Sequence, residues 1–441
     1  MSNEYIEIKR SPGLSGEAKL VGAKNAVLVT IASLILTDGK SKLYNVPNSQ
    51  DVQHMIKLLE VLGAQITSDK KNNTLEVNTA TINKYDVPRD IMKKMRASVL
   101  VMGPLLAKFG HANIALPGGC VIGARPINYH IANFKKMGVQ FEITGESVSS
   151  RVVQLKSTKI VLEYPSVGAT ENILMAAVLT KGVTKIINAA LEPEVLDLIS
   201  ALKKMGANIA ILPAATIKIE GVDSLKPIEH AIMYDRLEAG ALLLAAAITG
   251  GEIYLPQAPA YAMDMFLMKL QEMGHIVEVG DNEIGVKLQA SLSPKAVSFK
   301  TGPYPGFPTD LQAPMMAAQC VAEGTCTVCE TVFENRLLHV RELQKMGAQI
   351  KIDHNSAIIT GVEELYGAQV IATDIRASCA LVLAGFVAKG HTIMTGVHHF
   401  KRGYDSLDKK LKNLGASIEL KVDNLQEIGS FARNESTCKT L

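Results

Sequence analysis

Little in this chain of 441 residues points to a highly charged partner. Lysine and arginine number 46 against 43 aspartates and glutamates, a net charge of +3. That is too weak a field to gather nucleic acid or a membrane surface. Long apolar runs are missing as well. AGALLLAAAI from Ala239 is among the longest, and its ten residues fall well short of the roughly 20 that a membrane span needs. The opening MSNEYIEIKR has no apolar stretch of the secretory kind. The six cysteines, Cys120, Cys320, Cys326, Cys329, Cys379 and Cys438, show no disulfide-scaffold spacing. Cys326 and Cys329 form a lone C-x-x-C in an alternating, strand-like segment and read as packing residues, because zinc needs four ligands. His398 and His399 lack a third ligand nearby and read as turn residues. No G-x-x-x-x-G-K-[ST] and no G-x-G-x-x-G occurs, which argues against P-loop and Rossmann nucleotide sites. A soluble cytosolic protein with free thiols is expected.

What is plentiful is apolar residue, 47% against 20% charged. That suits large cores, and at roughly 150 residues per domain the length allows two or three domains. One string recurs six times: LEVLGAQI, FKKMGVQF, LKKMGANI, LQEMGHIV, LQKMGAQI and LKNLGASI. Its glycines, Gly63, Gly138, Gly206, Gly274, Gly347 and Gly415, stand 68 to 75 residues apart. Each string reads as an amphipathic helix ending, a Gly in the left-handed position and a strand beginning. About 40 residues upstream of each Gly lies a second helix, apolar nearly all round. These helices begin near Lys24, Arg96, Ser166, Arg236, Thr309 and Ile375. A helix apolar on every face must be buried on every face.

Each unit is therefore expected to run strand, buried helix, strand, outer helix, then two strands. Six units exceed one core, so the fold class is α/β: two domains of three repeats, an inverse α/β barrel with helices inside and sheets outside. The first domain is placed at 22–229. The second is placed at 1–21 plus 230–421, its sheet completed by the opening segment. The two crossings would form a hinge, and 422–441 reads as a polar tail.

Polar residues gather at the starts of the buried helices: Lys24, Arg96, Ser166, Arg236, Asp310 and Arg376. Helix N-termini present free N–H groups and a positive dipole end, so cations there call for an anion. Ordinary capping accounts for Ser166 and Asp310. In ALPGGCVIGARP, three glycines place Cys120 on a loop near Arg125, where a thiol pKa could be depressed. Arg336 and Arg402, on loops or helix starts, occupy places in their units comparable to that of Arg125. Symmetry can then turn three arginine forks toward one pocket.

The strings VGAKNA, MRASVLVMGPLLA, LPGGCVIGARP, PSVGATEN, FPTDLQAP, FENR, DIRAS and RGY together resemble the UDP-N-acetylglucosamine 1-carboxyvinyltransferase family of enolpyruvyl transferases. The resemblance spans about residues 1–421. It implies transfer of the enolpyruvyl group of phosphoenolpyruvate to the 3′-hydroxyl of UDP-N-acetylglucosamine, the first committed step of peptidoglycan synthesis, with no cofactor and no metal. Cys120 matches the proton donor that fosfomycin alkylates, and Asp310 the base at the sugar hydroxyl. Lys24, Asn25, Arg125, Arg376 and Arg402 match groups around phosphoenolpyruvate. Arg96, Arg125, Pro126, Ile127, Asn128, Tyr129, Ser166, Val167, Gly168, Asp310 and Val332 match contacts to the nucleotide sugar, with Phe333 and Arg336 beside them. The resemblance leaves the oligomeric state open.

Three departures stand out. Asn128 occupies a place commonly acidic, and Tyr164 one where some members have lysine. The turn in ANIAILPAATIKI lacks its usual glycines. Two alternatives stay open: the sister 3-phosphoshikimate 1-carboxyvinyltransferase, which typically has G-S-K-S where this chain has GAKN, and a non-catalytic UDP-sugar-binding paralogue.

Overall fold

The computed structural model describes residues 4–115 and 127–422, without the side chains of Lys93, Lys94 and Arg96. Six inner helices carry the cores: Lys24–Ser33, Met102–Phe109, Val167–Ala177, Arg236–Thr249, Gln312–Gln319 and Ile375–Val387. Two of them are entered through 3-10 turns, Arg96–Val101 and Thr309–Leu311. Their composition dictates their place. Of the ten residues in Lys24–Ser33, only Asn25 is exposed. The outer helices are amphipathic, as in Gln50–Leu62, which buries Val52, Met55, Leu58, Leu59 and Leu62 and turns its polar face to solvent. Each outer helix stops at the repeated glycine. All six glycines have φ between 92° and 112°, a conformation that costs a Cβ-bearing residue roughly 1 kcal/mol.

Two separate hydrophobic cores result. One is built from Ala23 through Ile232, the other from Ile6–Leu20 together with Leu237–Ile418. Each unit wraps its inner helix with a small sheet. In the third unit Lys159–Val161 runs parallel to Val183–Ile187, which is antiparallel to Thr216–Glu220, which is antiparallel to Asn208–Leu212. The register alternates buried Ile160, Ile186, Ile217 and Ile219 against polar neighbours. In the second unit the leading strand is reduced to a single bridge, Asp86 to Asn113.

The leading strands of units one and four are exchanged. Ser15–Glu17 precedes the first inner helix but pairs with Glu252–Pro259 of the other core. Conversely, Glu229–Ala231 precedes the fourth inner helix but pairs with Lys40–Tyr44 of the first. The chain therefore crosses twice, and the crossings are laced together. Gly22 bridges Tyr234, Ala23 N–H donates to Met233 O at 2.7 Å, and Asp235 N–H donates to Val21 O at 2.9 Å. The opening strand Glu4–Lys9 lies between His391–Thr395 and Ile418–Val422, completing the sixth sheet as expected. Val422 still pairs there, opposite Glu4, so the strand takes in the first residue assigned to the tail. Residues 423–441 lie outside the described residues. Among the described residues no helix is long and apolar enough to cross a membrane.

The glycine-poor turn of the third unit keeps its shape with alanines. Ala214 and Ala215 sit at φ 56° and 47°, and Ala215 O accepts from Ala189 N at 2.8 Å. Left-handed alanine is strained, whereas Asn and Gly adopt it readily. The double substitution Ala214→Asn, Ala215→Gly is expected to stabilise the protein by about 1 kcal/mol. Urea unfolding should show the higher midpoint.

Candidate functional site

The cleft between the cores gathers charges that are far apart in sequence. Lys24 opens the first inner helix and is buried. Its Nζ lies 3.4 Å from Asp51 Oδ2. The other carboxylate oxygen of Asp51 accepts from Arg402 Nε at 3.0 Å. Asp51 belongs to the first core and Arg402 to the second, so one buried carboxylate ties two cations across the gap. Sequence reasoning missed Asp51, because an acid in the first turn of an outer helix is already explained by the helix dipole. Arg402 sits in the last turn of the helix Val397–Gly403, not on a loop or at a helix start as expected.

Asp310 lies in the 3-10 turn before the fifth inner helix and makes no cap. It accepts from Arg336 Nη2 at 2.7 Å and from Arg376 Nη2 at 2.8 Å. Burial alone would raise its pKa. The guanidiniums of Arg376 and Arg336 outweigh burial and hold the carboxyl well below its usual range. Arg376 opens the sixth inner helix, which Asp374 caps by accepting from Arg376 N and Ala377 N. Its guanidinium stands 5.3 Å from the ring centre of buried Tyr404. Burial pushes the Lys24 ammonium down. Asp51 and Asp310 oppose that shift, and Arg376 and Arg402 reinforce it. The two clusters are thus one electrostatic unit.

The sugar-side candidates fall in two further places. Ser166 caps the third inner helix, accepting from Ala169 N at 3.4 Å, and Val167 and Gly168 follow in the first turn. Ile127 is buried, and Asn128 and Tyr129 open the next helix exposed. Buried Asn172 ties this region together, donating to Val99 O at 2.9 Å and accepting from Gly103 N at 2.7 Å, with His130 Nδ1 at 3.0 Å. On the other side Val332 and Phe333 donate their N–H groups to Glu330 Oε1 at 2.7 and 3.1 Å. Thr301 and Thr309 donate to the same buried carboxylate at 3.0 and 2.8 Å. Glu330, also missed in the sequence, thereby fixes the Asp310 turn and the Val332–Phe333 loop at once. The Phe333 ring lies 5.3 Å from the Arg336 guanidinium. Tyr164 is half-buried near Glu192 and Glu330, and its hydroxyl pKa is raised, first by burial.

Two expectations remain partly or wholly outside this picture. Cys120, Arg125 and Pro126 lie outside the described residues, and Arg96 is placed only by its backbone, at the head of a 3-10 turn. Arg236 is placed otherwise than expected: instead of opening toward a pocket anion, it is spent on Glu194, with 3.0 and 3.2 Å hydrogen bonds. The Cys326 thiol is buried in the strand Thr325–Cys329, and burial raises its pKa to about 11.

What the site can do follows from charge. Among the described residues, the salt-bridge partners of Lys24, Arg336, Arg376 and Arg402 are Asp51 and Asp310, two carboxylates to four cations, leaving cationic capacity for a multiply charged anion. Asp51→Asn should cost about 3 kcal/mol in urea unfolding, because it leaves buried Lys24 among like charges. Adding Lys24→Met should recover part of that loss. Asp310 is expected to shape acid stability. Its folded pKa lies below the ordinary 3.8, so its contribution is complete above that value and is lost as pH falls through the folded one. Between pH 5 and 2, Asp310→Asn should therefore lose less stability than the wild type in urea midpoints measured across that range.

Residues 8–411 match the family of EPSP synthase (3-phosphoshikimate 1-carboxyvinyltransferase). The chain is 48% identical over 418 residues to UDP-N-acetylglucosamine 1-carboxyvinyltransferase 1 of Caldanaerobacter subterraneus subsp. tengcongensis, covering 95% of this chain and 99% of that one. It is 44% identical over 417 residues to UDP-N-acetylglucosamine 1-carboxyvinyltransferase of Shewanella sp. (strain W3-18-1), covering 94% and 99%. Among solved structures, the enolpyruvyl transferase NikO from Streptomyces tendae aligns with a TM-score of 0.87 at 23% identity, covering 96% of this chain and 100% of that one. EPSP synthase from Acinetobacter baumannii aligns at 0.76 with 18% identity, covering 95% and 100%. At such identities these two structures show a shared fold and no more.

Proposed function

Because the chain belongs to the EPSP synthase family of enolpyruvyl transferases, in the branch of the UDP-N-acetylglucosamine 1-carboxyvinyltransferases, we propose that it transfers the enolpyruvyl group of phosphoenolpyruvate to the 3′-hydroxyl of UDP-N-acetylglucosamine. The observation that carries this reading is the convergence of Lys24, Arg402, Arg376, Arg336 and Asp310 from both cores onto one cleft. We take 22–229 and 1–21 plus 230–421 as the two domains that enclose the substrates, and the cytoplasm as the place of the reaction.

In this reading phosphoenolpyruvate, a trianion, is held by Lys24, Arg376 and Arg402, with Arg125 and the exposed Asn25 as further contacts. Asp51 and Asp310 occupy those cations until the substrate arrives. As Arg376 turns to the substrate anion, Asp310 loses one of the two guanidiniums that depress its basicity. Its pKa rises toward the ordinary range, so it becomes a base when the sugar hydroxyl is in place. The hydroxyl oxygen adds to C2 of phosphoenolpyruvate, its proton passes to Asp310, and the Cys120 thiol protonates C3. The tetrahedral ketal then loses phosphate from C2, the phosphate taking the proton held by Asp310. A proton from C3 returns to the Cys120 thiolate, and the double bond is restored as an enol ether. Arg96, the 125–129 run, Ser166, Val167, Gly168, Val332 and Phe333 hold the nucleotide sugar, and Arg336 steadies Asp310.

Phosphate release from phosphoenolpyruvate tests this directly, with UDP-N-acetylglucosamine and shikimate 3-phosphate in parallel. Release only with the nucleotide sugar, abolished by fosfomycin through Cys120, is the expected result. Asp310→Ala should lower the rate roughly a hundredfold or more while the nucleotide sugar still binds. Release only with shikimate 3-phosphate would move the reaction to the sister activity. Binding without turnover would make the chain a UDP-sugar-binding paralogue.

A further inference from the structure

We propose that Glu192, Glu194 and Arg236 form a latch between the two cores that positions the turn bearing Asp310. These residues have no part in the chemistry above. Glu194 lies in the first turn of the outer helix Pro193–Met205, whose Val195, Leu198, Ile199 and Leu202 are buried in the first core. Arg236 opens the fourth inner helix, which belongs to the second core. Their contact is two-pronged, Nε to Oε1 at 3.0 Å and Nη2 to Oε2 at 3.2 Å, and both residues are buried at 7% and 4% exposure. A fork of this geometry fixes orientation as well as distance.

Glu192, two residues earlier, makes the second hold. It precedes the helix without capping it, and its Oε1 accepts from Tyr304 N at 3.3 Å. Tyr304 begins the segment that leads to Asp310, and its ring centre lies 5.9 Å from the Arg236 guanidinium. The Arg236 helix also packs against that turn. A Cβ at Gly240 would stand 2.6 Å from Leu311 Cδ1, so the helix and the residue after Asp310 are in tight contact. Two carboxylates of the first core therefore grip, through Arg236 and Tyr304, the piece of the second core that aims Asp310.

The latch acts only while the two cores are in contact at this place. Buried Glu171 shares the neighbourhood, feeling both Glu194 and Glu192. One guanidinium thus offsets both Glu194 and Glu192, and withdrawing Arg236 leaves those two carboxyl groups facing each other beside Glu171. Closure would set Asp310, and its loss would lower turnover more than sugar affinity.

This inference rests on the transferase reading, so one arm of its test is independent of activity. Glu194→Gln, Arg236→Met, the double variant and Arg236→Lys would be compared in phosphate-release kinetics and in solution scattering with and without UDP-N-acetylglucosamine. Each neutral single variant should lower kcat roughly 30-fold or more, the loss associated with breaking a buried pair. KM for UDP-N-acetylglucosamine should change less, and the radius of gyration should rise. The double variant should be no worse than the poorer single one, and Arg236→Lys should recover only part of kcat, lacking the fork. Singles whose effects multiply in the double variant, or an unchanged radius with unchanged kcat, would overturn the latch. If the singles unfold, Glu192→Ala decides: reduced kcat with wild-type melting supports the latch, and unchanged kcat refutes it. Absence of phosphate release in the wild type would count against the transferase reading, while the radius comparison would still judge the latch.

Discussion

Three inner helices begin with a cation where the helix dipole is already positive: Lys24, Arg236 and Arg376. That placement is unfavourable unless an anion is supplied. The chain supplies one to each, Asp51, Glu194 and Asp310 respectively. Glu194 reaches its cation from the other core, and Asp51 joins Lys24 to an arginine on the other core. The apolar cores stay separate, so the cleft is closed by ion pairs and hydrogen bonds. An interface of this kind can part without exposing a hydrophobic core, which a site that must admit and enclose two substrates requires.

The same economy shapes the resting site. Asp51 and Asp310 pair with the cleft cations, and in the proposed reaction the entering anion competes with them. Asp310 is then a poor base while paired with two arginines and a better one once a substrate anion draws one of them off. Binding and activation share a single rearrangement, and the pKa of Asp310 is set by what occupies the pocket.

How much of this was readable in advance depended on distance along the chain. The six units, the left-handed glycines and the inner helices follow from local periodicity, which survives in any tertiary setting. The opening segment, which precedes the first unit, could be assigned to the sheet of the second core, where its strand lies. The bounds 1–21 and 22–229 already put Ser15–Glu17 with the second core, but they do not give the strands that Ser15–Glu17 and Glu229–Ala231 pair with, because three residues carry no signal of their neighbours. The cations Lys24, Arg336, Arg376 and Arg402 were legible as candidates because their type and position were odd. Of their carboxylate partners Asp310 was legible too, but Asp51 was not, nor were the buried acids Glu330 and Glu194. Asp51 resembles an ordinary first-turn acid, Glu330 an ordinary strand-end residue, and Glu194 an acid after a helix-starting proline. Each acquires meaning only from a side chain brought near by the fold. The Ala214–Ala215 turn shows the converse: missing glycines were visible, yet the backbone keeps the glycine conformation.

The strand Glu4–Lys9 is among the first pieces of the chain to be synthesised, and both strands that pair with it are among the last. The first core, by contrast, is assembled from a continuous stretch that ends near Ile232. During synthesis that core can form while the opening strand still waits with both edges unpaired, a state open to wrong partners. Its sequence, EYIEIK, offers only Ile6 and Ile8 as fully buried apolar residues and sets them between charged neighbours. Such a strand is polar enough to wait in solvent, and the last sheet to form is the one that joins the two ends of the described residues.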